Sequence, residues 1–151
     1  MIGLEAFIVR AKAKTYVGDG APRPPCRPGA HDIGHEDGDW AYLDSYFGGS
    51  DFLGQEVVWL KTRPVWAMNY YGRILRPDRI DAATAGRLIK QALSALYQEQ
   101  RFLGGFDFPA GPHVYTDRSE GDVTSFSGFE VIAMEREPVY RLDYHGGLIK
   151  A

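Results

Sequence analysis

A histidine next to a carboxylate is the first feature of this sequence that could do chemistry. His31 and Asp32 are adjacent, and Arg27 precedes them in the same segment. Imidazole and carboxylate groups are the usual proton carriers of general acid–base catalysis, and a guanidinium can hold a carboxylate or phosphate with two hydrogen bonds. The segment therefore predicts an acid–base site with an anion anchor. The alternative is that His31 caps a strand end and Asp32 begins a turn.

Further candidate groups come from segments with a strand pattern. His145 near Asp143 is the alternative base, and Glu56 or Asp44 would supply a second carboxyl group. We predict the catalytic residues to be His31, Asp32, Glu56 and His145. We predict the ligand-binding residues to be Arg27, Tyr42, Asp44, Tyr46, Trp59, Asn69 and Tyr71. Carboxylates, an amide and phenols together suit a small polar molecule with an apolar ring or stem.

Metal and thiol chemistry have weaker support. His31 and His35 would share one side of a helix, but Gly34 argues against a helix in this segment. No P-loop, dinucleotide-binding or serine-nucleophile motif occurs. We therefore predict no metal site and no cofactor. Cys26 beside Arg27 could form a reactive thiolate, but an ordinary loop cysteine is the simpler interpretation.

Composition limits the class of partner and the location. The 151 residues correspond to about one domain, so we assign 1–151 to a single α+β domain. A net charge of −3 gives no basic excess for a phosphate backbone, so we expect no nucleic-acid partner. No apolar run approaches the length of a membrane span, so we expect no membrane partner either. One cysteine and no signal-peptide pattern favour the cytoplasm. The expected partner is a small-molecule ligand, and assembly into a homo-oligomer stays open.

The spacing of apolar residues predicts two helices. One begins near residue 3 and has Leu4, Phe7, Ile8 and Ala11 on its apolar side, with Lys12 away from it. The second spans about 79–98, with Asp78 as its N-cap. Residues 18–39 are rich in proline and glycine and predict a functional loop. Alternation and turn signals, including one at Gly128, predict strands at 39–47, 55–61, 64–71, 113–116, 123–127, 129–135 and 139–145.

Alternation also sorts the side chains of each predicted strand into two faces. Tyr42, Asp44 and Tyr46 share one face of the first strand, and Asn69 and Tyr71 share one face of the third. A charged or amide group inside a sheet face is costly to bury unless it has a partner. These positions therefore favour a pocket over a plain scaffold.

The order of elements predicts an α+β fold, with a single curved antiparallel sheet and about two helices packed on one face. The other face would be free to curve around a ligand. We expect the 18–39 loop to fold over the first strands. It would then bring Arg27 and His31 close to Tyr42 and Tyr71 around one hollow.

Several short strings together resemble a known family. They are Arg27-Pro28-Gly29-x-His31-Asp32, the run from Ala41 to Gly49, Phe52-x-Gly54-x-Glu56-x-Val58-Trp59, the run from Pro64 to Arg73, and Tyr144-His145-Gly146-Gly147. The set is similar to an uncharacterised bacterial family of domains of unknown function, over about residues 6–149. Its members stand alone or follow an Xre-type helix-turn-helix domain, which implies a ligand-sensing role. The first helix of this chain leaves no room for a helix-turn-helix, so we do not expect it to bind DNA in that way.

Three functions remain open on the sequence alone. The first is an acid–base enzyme that acts on a small polar metabolite. The second is a non-catalytic ligand sensor with the same pocket. The third is a protein-interaction module in which the polar residues form structural networks.

Overall fold

The computed structural model describes residues 3–18, 20 and 22–150. Two helices and nine strands make up this described part of the chain. The helices are α1 (Leu4–Lys14) and α2 (Ala82–Gln98). The strands are β1 (Pro22–Arg23), β2 (His31–Asp37), β3 (Trp40–Gly48), β4 (Phe52–Leu60), β5 (Arg63–Ile74), β6 (Phe106–Ala110), β7 (His113–Asp122), β8 (Ser125–Met134) and β9 (Glu137–Leu148). The outermost residues of the predicted single domain, 1, 2 and 151, lie outside the described residues.

All nine strands belong to one sheet, in the order β1-β2-β3-β4-β5-β9-β8-β7-β6. Every neighbouring pair is antiparallel. The sheet consists of two meanders, β1–β5 and β6–β9, which join where β5 pairs with β9. The predicted α+β class with a single antiparallel sheet is therefore confirmed.

Both helices pack on the same side of the sheet, which we call the inner face. The predicted apolar residues of α1 are buried, as are Leu88, Ile89, Ala92, Leu93 and Leu96 of α2. They meet large side chains from the strands, of which Trp66 is fully buried. Burial of these apolar surfaces is the main force that holds the helices on the sheet. We call the uncovered side the outer face.

The prediction of one long loop at 18–39 is wrong, because this segment contains β1 and β2. Residues 31–37 pair with β3 in unbroken register. Gly34, taken as a loop residue, lies inside β2, where the Arg23 side chain occupies the space that a Cβ atom would fill. Pro22 lies in the edge strand β1, where a missing N–H group costs little. Proline and glycine here reflect a sheet edge and a close approach.

Boundaries in the second meander also differ from those predicted. Gly128 lies inside β8 and marks no turn. A glycine stands there because the Tyr144 ring covers the space that a Cβ atom would need. Strand β6 was not predicted, and it is an edge strand that contains Pro109. Helix α2 begins at Ala82, and its N-cap is Asp81, which accepts a hydrogen bond from the Thr84 N–H group at 2.6 Å.

Neither helix of the described residues has the length and apolar character that a membrane-spanning segment needs.

Candidate functional site

A cavity of about 240 Å³ lies between the inner face of the sheet and the two helices. We call it the inner cavity. Residues from α1, α2 and six of the strands line it. Its walls are mainly aromatic and aliphatic, yet they carry four carboxyl groups, those of Asp44, Glu56, Asp117 and Glu130. Lys12 is the lysine among the lining residues.

The first two carboxyl groups face each other across neighbouring strands. Asp44 of β3 is the direct partner of Glu56 of β4, and both side chains are buried. Opposite positions of this kind place the two Cβ atoms about 4.5–5.5 Å apart, a distance at which like charges repel. Lys12 of α1 offsets this repulsion, because its Nζ atom lies 2.7 Å from Oε1 and 2.6 Å from Oε2 of Glu56.

The other two carboxyl groups form a second pair of the same kind. Asp117 of β7 is the direct partner of Glu130 of β8, and both are buried on the same face. Asp117 accepts a hydrogen bond from the Tyr144 hydroxyl at 2.7 Å. The Oε2 atom of Glu130 has no hydrogen-bond partner in the described chain. No cationic side chain of the described residues forms an ion pair with either carboxyl group.

Phenol groups supply most of the remaining polarity. Seven of the nine tyrosines line the inner cavity, and they are Tyr16, Tyr42, Tyr46, Tyr70, Tyr97, Tyr140 and Tyr144. The Tyr70 hydroxyl donates to Asp44 at 2.6 Å. The hydroxyl of Tyr140 is buried and finds no partner among the described residues.

Burial shifts the proton affinities of these carboxyl groups upward. Desolvation, followed by the nearby charge of Glu56, raises the pKa of Asp44 to about 7. Desolvation and the charge of Asp117 raise the pKa of Glu130 to about 8, against the opposing effects of Lys12 and the Tyr115 hydroxyl. Desolvation also raises the pKa of Asp117. The cavity therefore holds carboxyl groups that exchange protons near neutral pH.

The cavity opens between the β3–β4 turn and the first turns of α2. Its exposed lining residues are Gly48, Gly49 and Ser50 from the turn, and Ala82 from the helix. Gly86 lies one helical turn beyond Ala82, and a Cβ atom at this position would meet no other atom within 4 Å. Small residues on both sides thus keep the entrance wide.

Four of the predicted site residues line this cavity, namely Tyr42, Asp44, Tyr46 and Glu56. Lys12 was not predicted as a site residue, because the apolar pattern of α1 placed it on the polar side, whereas its side chain is only 7% exposed. It also missed Asp117 and Glu130. Correct strand bounds would have placed these two opposite each other, but the predicted strands ended short of Asp117 and split β8 at Gly128.

Asp32 and Arg27 belong to a separate network on the outer face. Asp32 accepts hydrogen bonds from the Ser45 hydroxyl at 2.6 Å and from the Cys26 N–H group at 2.9 Å. Arg27 donates to the same Ser45 hydroxyl at 2.8 Å and lies over the Phe47 ring. Burial alone would raise the pKa of Asp32, but the hydrogen bonds from Ser45 and Cys26 outweigh it and lower the pKa. This network fixes the chain before β2 onto β3.

The predicted pairing of His31 with Asp32 is wrong, because adjacent residues of a strand point to opposite faces. Asp32 pairs in register with Ser45, whereas His31 pairs with Tyr46. The His31 ring is exposed, and its centroid lies 5.1 Å from that of the Tyr46 ring. His31 thus lies beside a tyrosine of the cavity wall without lining the cavity itself.

The remaining predicted residues lie elsewhere. Asn69, Tyr71 and His145 line an open groove on the outer face, which we call the outer groove. There Asn69 accepts a hydrogen bond from Gln55 at 2.8 Å, and its amide nitrogen lies 3.4 Å from Nε2 of His145. Trp59 is half-buried and lines neither cavity nor groove.

The prediction of one shared hollow around Arg27, His31, Tyr42 and Tyr71 is therefore wrong. Tyr42 is buried on the inner face, whereas Tyr71 is 41% exposed in the outer groove. Strand alternation separates the two sets, and β2, being a strand, cannot fold over the sheet. Within the described ranges, no group of three or more His, Cys, Asp or Glu side chains is arranged to hold a metal ion.

These features define a class: a single open antiparallel sheet, covered on one face by two helices, with an acidic and aromatic cavity between the layers. The chain belongs to the DUF5680 family, described as a domain of unknown function, whose family model matches residues 44–149. All four carboxyl groups of the cavity lie within the matched range, and Lys12 lies before it. No curated protein and no solved structure matches the chain.

Proposed function

We propose that this chain is a small-molecule-binding domain whose ligand occupies the inner cavity. The observation that carries this proposal is a buried polar cluster in which some polar atoms lack hydrogen-bond partners within the described chain. Glu130 and Tyr140, which both line the aromatic cavity, each carry a buried polar atom that has no hydrogen-bond partner among the described residues. Buried polar atoms normally have hydrogen-bond partners, so a bound molecule that supplies them would explain the arrangement.

A purely structural role for these carboxyl groups would be energetically costly. Two pairs of facing carboxyl groups oppose folding, through desolvation and through mutual repulsion. Apolar residues of similar volume would hold the same layers together at lower cost. A pocket that combines convergent polar groups with carboxyl pKa values shifted by burial is a good candidate for a binding site, and the inner cavity has both features.

The cellular setting belongs to the same proposal. We infer a bacterial cytoplasmic protein, which the single cysteine and the resemblance to domains fused to Xre-type helix-turn-helix modules support. In that setting the domain would sense a metabolite without transforming it, and neither nucleic acid nor a membrane would be its partner.

A second candidate function is acid–base catalysis in the same cavity. The specific observation in its favour is Asp44, whose pKa of about 7 suits proton transfer at neutral pH. Its carboxyl group is hydrogen-bonded by Tyr70 and faces Glu56. In this case a molecule that enters the cavity would leave it altered, and Asp44→Asn would abolish the turnover while it preserved binding.

A thermal-shift screen against metabolites tests the proposal when it is run on three matched proteins. These are the wild type, Gly86→Ala and Gly86→Leu. The alanine variant leaves the entrance nearly unchanged, whereas the leucine side chain reaches into it from the cavity side of α2. A ligand at about 100 times its Kd stabilises a fold by about 2.7 kcal/mol, which corresponds to a rise in Tm of roughly 5–10 °C for this chain length.

We expect each true ligand to raise the Tm of the wild type and of Gly86→Ala but not that of Gly86→Leu. Incubation with each hit, followed by mass spectrometry, separates the sensor from the enzyme. Ligands that stabilise all three proteins equally would show that binding takes place outside the inner cavity. The proposal would then fail.

A further inference from the structure

The two carboxyl pairs of the inner cavity have the same strand-to-strand arrangement, but only the first has a cation of the described chain beside it. In the Asp44–Glu56 pair, the Lys12 ammonium contacts both oxygens of Glu56. The Asp117–Glu130 pair has no ammonium or guanidinium of the described chain at ion-pair distance. Oε2 of Glu130, a residue only 9% exposed, is also without a hydrogen-bond partner in the part of the chain that the structure describes.

We propose that the ligand of the inner cavity is an amine, whose ammonium group binds between Asp117 and Glu130 as the Lys12 ammonium binds Glu56. This inference rests on the proposed function, since it names the class of molecule that the cavity takes. An ammonium group has three N–H donors. It can donate to Oε2 of Glu130 and to Asp117, and it would relieve the repulsion between the two carboxyl groups.

The Lys12 contact shows that this fold already holds a buried ammonium in that way. Of the four carboxyl groups of the cavity, Lys12 of α1 contacts that of Glu56, and its charge acts on Glu130 from a greater distance. The charges of Arg118 and Arg101 and the backbone N–H group of Arg118 lower the pKa of Asp117, but both guanidinium groups form their ion pairs with other carboxylates. Among the described residues of the cavity wall, the second pair is thus the carboxyl pair without a cation at ion-pair distance.

The rest of the cavity wall fits the body of such a molecule. Tyrosine rings attract organic cations through their electron-rich faces, and seven tyrosines surround this space. Aliphatic contacts come from Ile89, Leu93 and Leu142. A cavity of 240 Å³ is larger than an engineered cavity of roughly 150 Å³ that binds benzene. The occupant is therefore small, of the size of an aromatic monoamine or a short alkyl amine, and it carries no carboxylate or phosphate.

The test compares amines with alcohols of matched shape. The panel is 2-phenylethylamine, hexylamine and 1,4-diaminobutane, set against 2-phenylethanol, hexan-1-ol and butane-1,4-diol. Calorimetry and thermal shift are measured for the wild type, Glu130→Gln, Asp117→Asn and Gly86→Leu. Glu120→Gln is the control, because Glu120 is an exposed glutamate of the same strand pair that faces the outer groove. Mg²⁺ and Ca²⁺ are added separately.

We expect at least one amine to bind at least about tenfold more tightly than the alcohol of matched shape, both to the wild type and to Glu120→Gln. A hydrogen bond to a charged group changes an affinity by a factor of this size or more. Glu130→Gln should remove that difference without loss of fold, because glutamine keeps the shape of the protonated glutamic acid side chain and cannot ionise. If Glu130→Gln does not fold, Asp117→Asn provides the same comparison. Binding should release protons. The heat of binding measured by calorimetry should therefore depend on the buffer that takes up these protons.

Two results would overturn the amine assignment but leave the proposed function standing. One is an alcohol that binds as tightly as its amine and is blocked by Gly86→Leu. The other is stabilisation by Mg²⁺ or Ca²⁺ alone that Glu130→Gln removes, which would make the pair a metal site. If no amine of the panel binds, the amine assignment also fails. If, in addition, no metabolite of the screen depends on Gly86, the proposed function fails with it.

Discussion

Single residues of the inner cavity show which chemistry a sequence can reveal. Tyr42, Asp44 and Tyr46 were predicted to share a face because they alternate along one strand, and the structure confirms that they do. Lys12 could not be found in this way. Its burial depends on Glu56, a partner 44 positions away in the sequence, and helical periodicity carries no information on such a contact.

The Lys12–Glu56 ion pair gives a direct prediction at this scale. Lys12→Met leaves Glu56 buried opposite Asp44 without its cation, so the free energy of unfolding should fall by about 3–5 kcal/mol. Urea denaturation measures this loss. The double variant Lys12→Met/Glu56→Gln removes the uncompensated charge and should recover about half of the loss or more. A double variant no more stable than Lys12→Met would contradict the assigned role of the pair.

At the scale of elements, long periodic segments were predictable and their ends were not. The apolar stripe of α2 was predicted correctly, yet its N-cap was assigned to Asp78 in place of Asp81. Both aspartates precede the helix, so the sequence allows either as the N-cap. The capping side chain is the one that reaches the N–H group three residues further on, and only the structure shows which one does. Asp78 instead forms an exposed ion pair with Arg76.

This difference between two nearby aspartates can be measured. Asp81→Ala removes the acceptor of the Thr84 N–H group, so it should lower the Tm by a few degrees. Asp78→Ala removes only an exposed ion pair and should change the Tm much less, because solvent screens such pairs. Equal losses in the two variants, measured by thermal denaturation at neutral pH, would speak against Asp81 as the cap.

Strand β2 shows why some elements could not be predicted. Gly34 and the charged residues of β2 argue for a loop when only local propensity is considered. The strand forms because β3 offers a complete edge and because Asp32 bonds to Ser45 across the pair. Both causes are contacts between distant segments. The candidate site was divided wrongly for the same reason, since a loop could have folded over the sheet and a strand cannot.

At the scale of the whole molecule, the fold class followed from the order of elements, while the location of the cavity did not. Each of the two predicted helices precedes a strand-rich segment. This order predicted one sheet with one covered face. The sequence pattern favoured a ligand on the uncovered face. The structure instead places its acidic cavity under the helices, because Asp44, Glu56, Asp117 and Glu130 have the same strand parity as the core residues Trp66 and Tyr115.

These buried carboxyl groups make the stability of the whole fold depend on pH. The pKa of Glu130 is raised to about 8 in the folded chain, where Asp117, Glu56 and Lys12 are the charged groups that act on it. In the unfolded chain it returns to about 4.3. Between these values the folded state holds a proton that unfolding releases, so a rise in pH favours unfolding. His35, whose pKa burial lowers, acts in the opposite direction below about pH 6.5.

Glu130→Gln isolates the contribution of the carboxyl group from that of His35, because both proteins keep the histidine. The variant has no proton to lose at this position. Its free energy of unfolding should therefore be close to that of the ligand-free wild type at pH 5 and exceed it by a few kcal/mol at pH 8. Urea denaturation at pH 5, 6, 7 and 8 measures the difference, and Glu120→Gln should follow the wild type throughout. A constant difference across this range would mean that Glu130 is ionised in the folded chain at pH 5 already, and that the cavity holds its charge without help from a proton or a ligand.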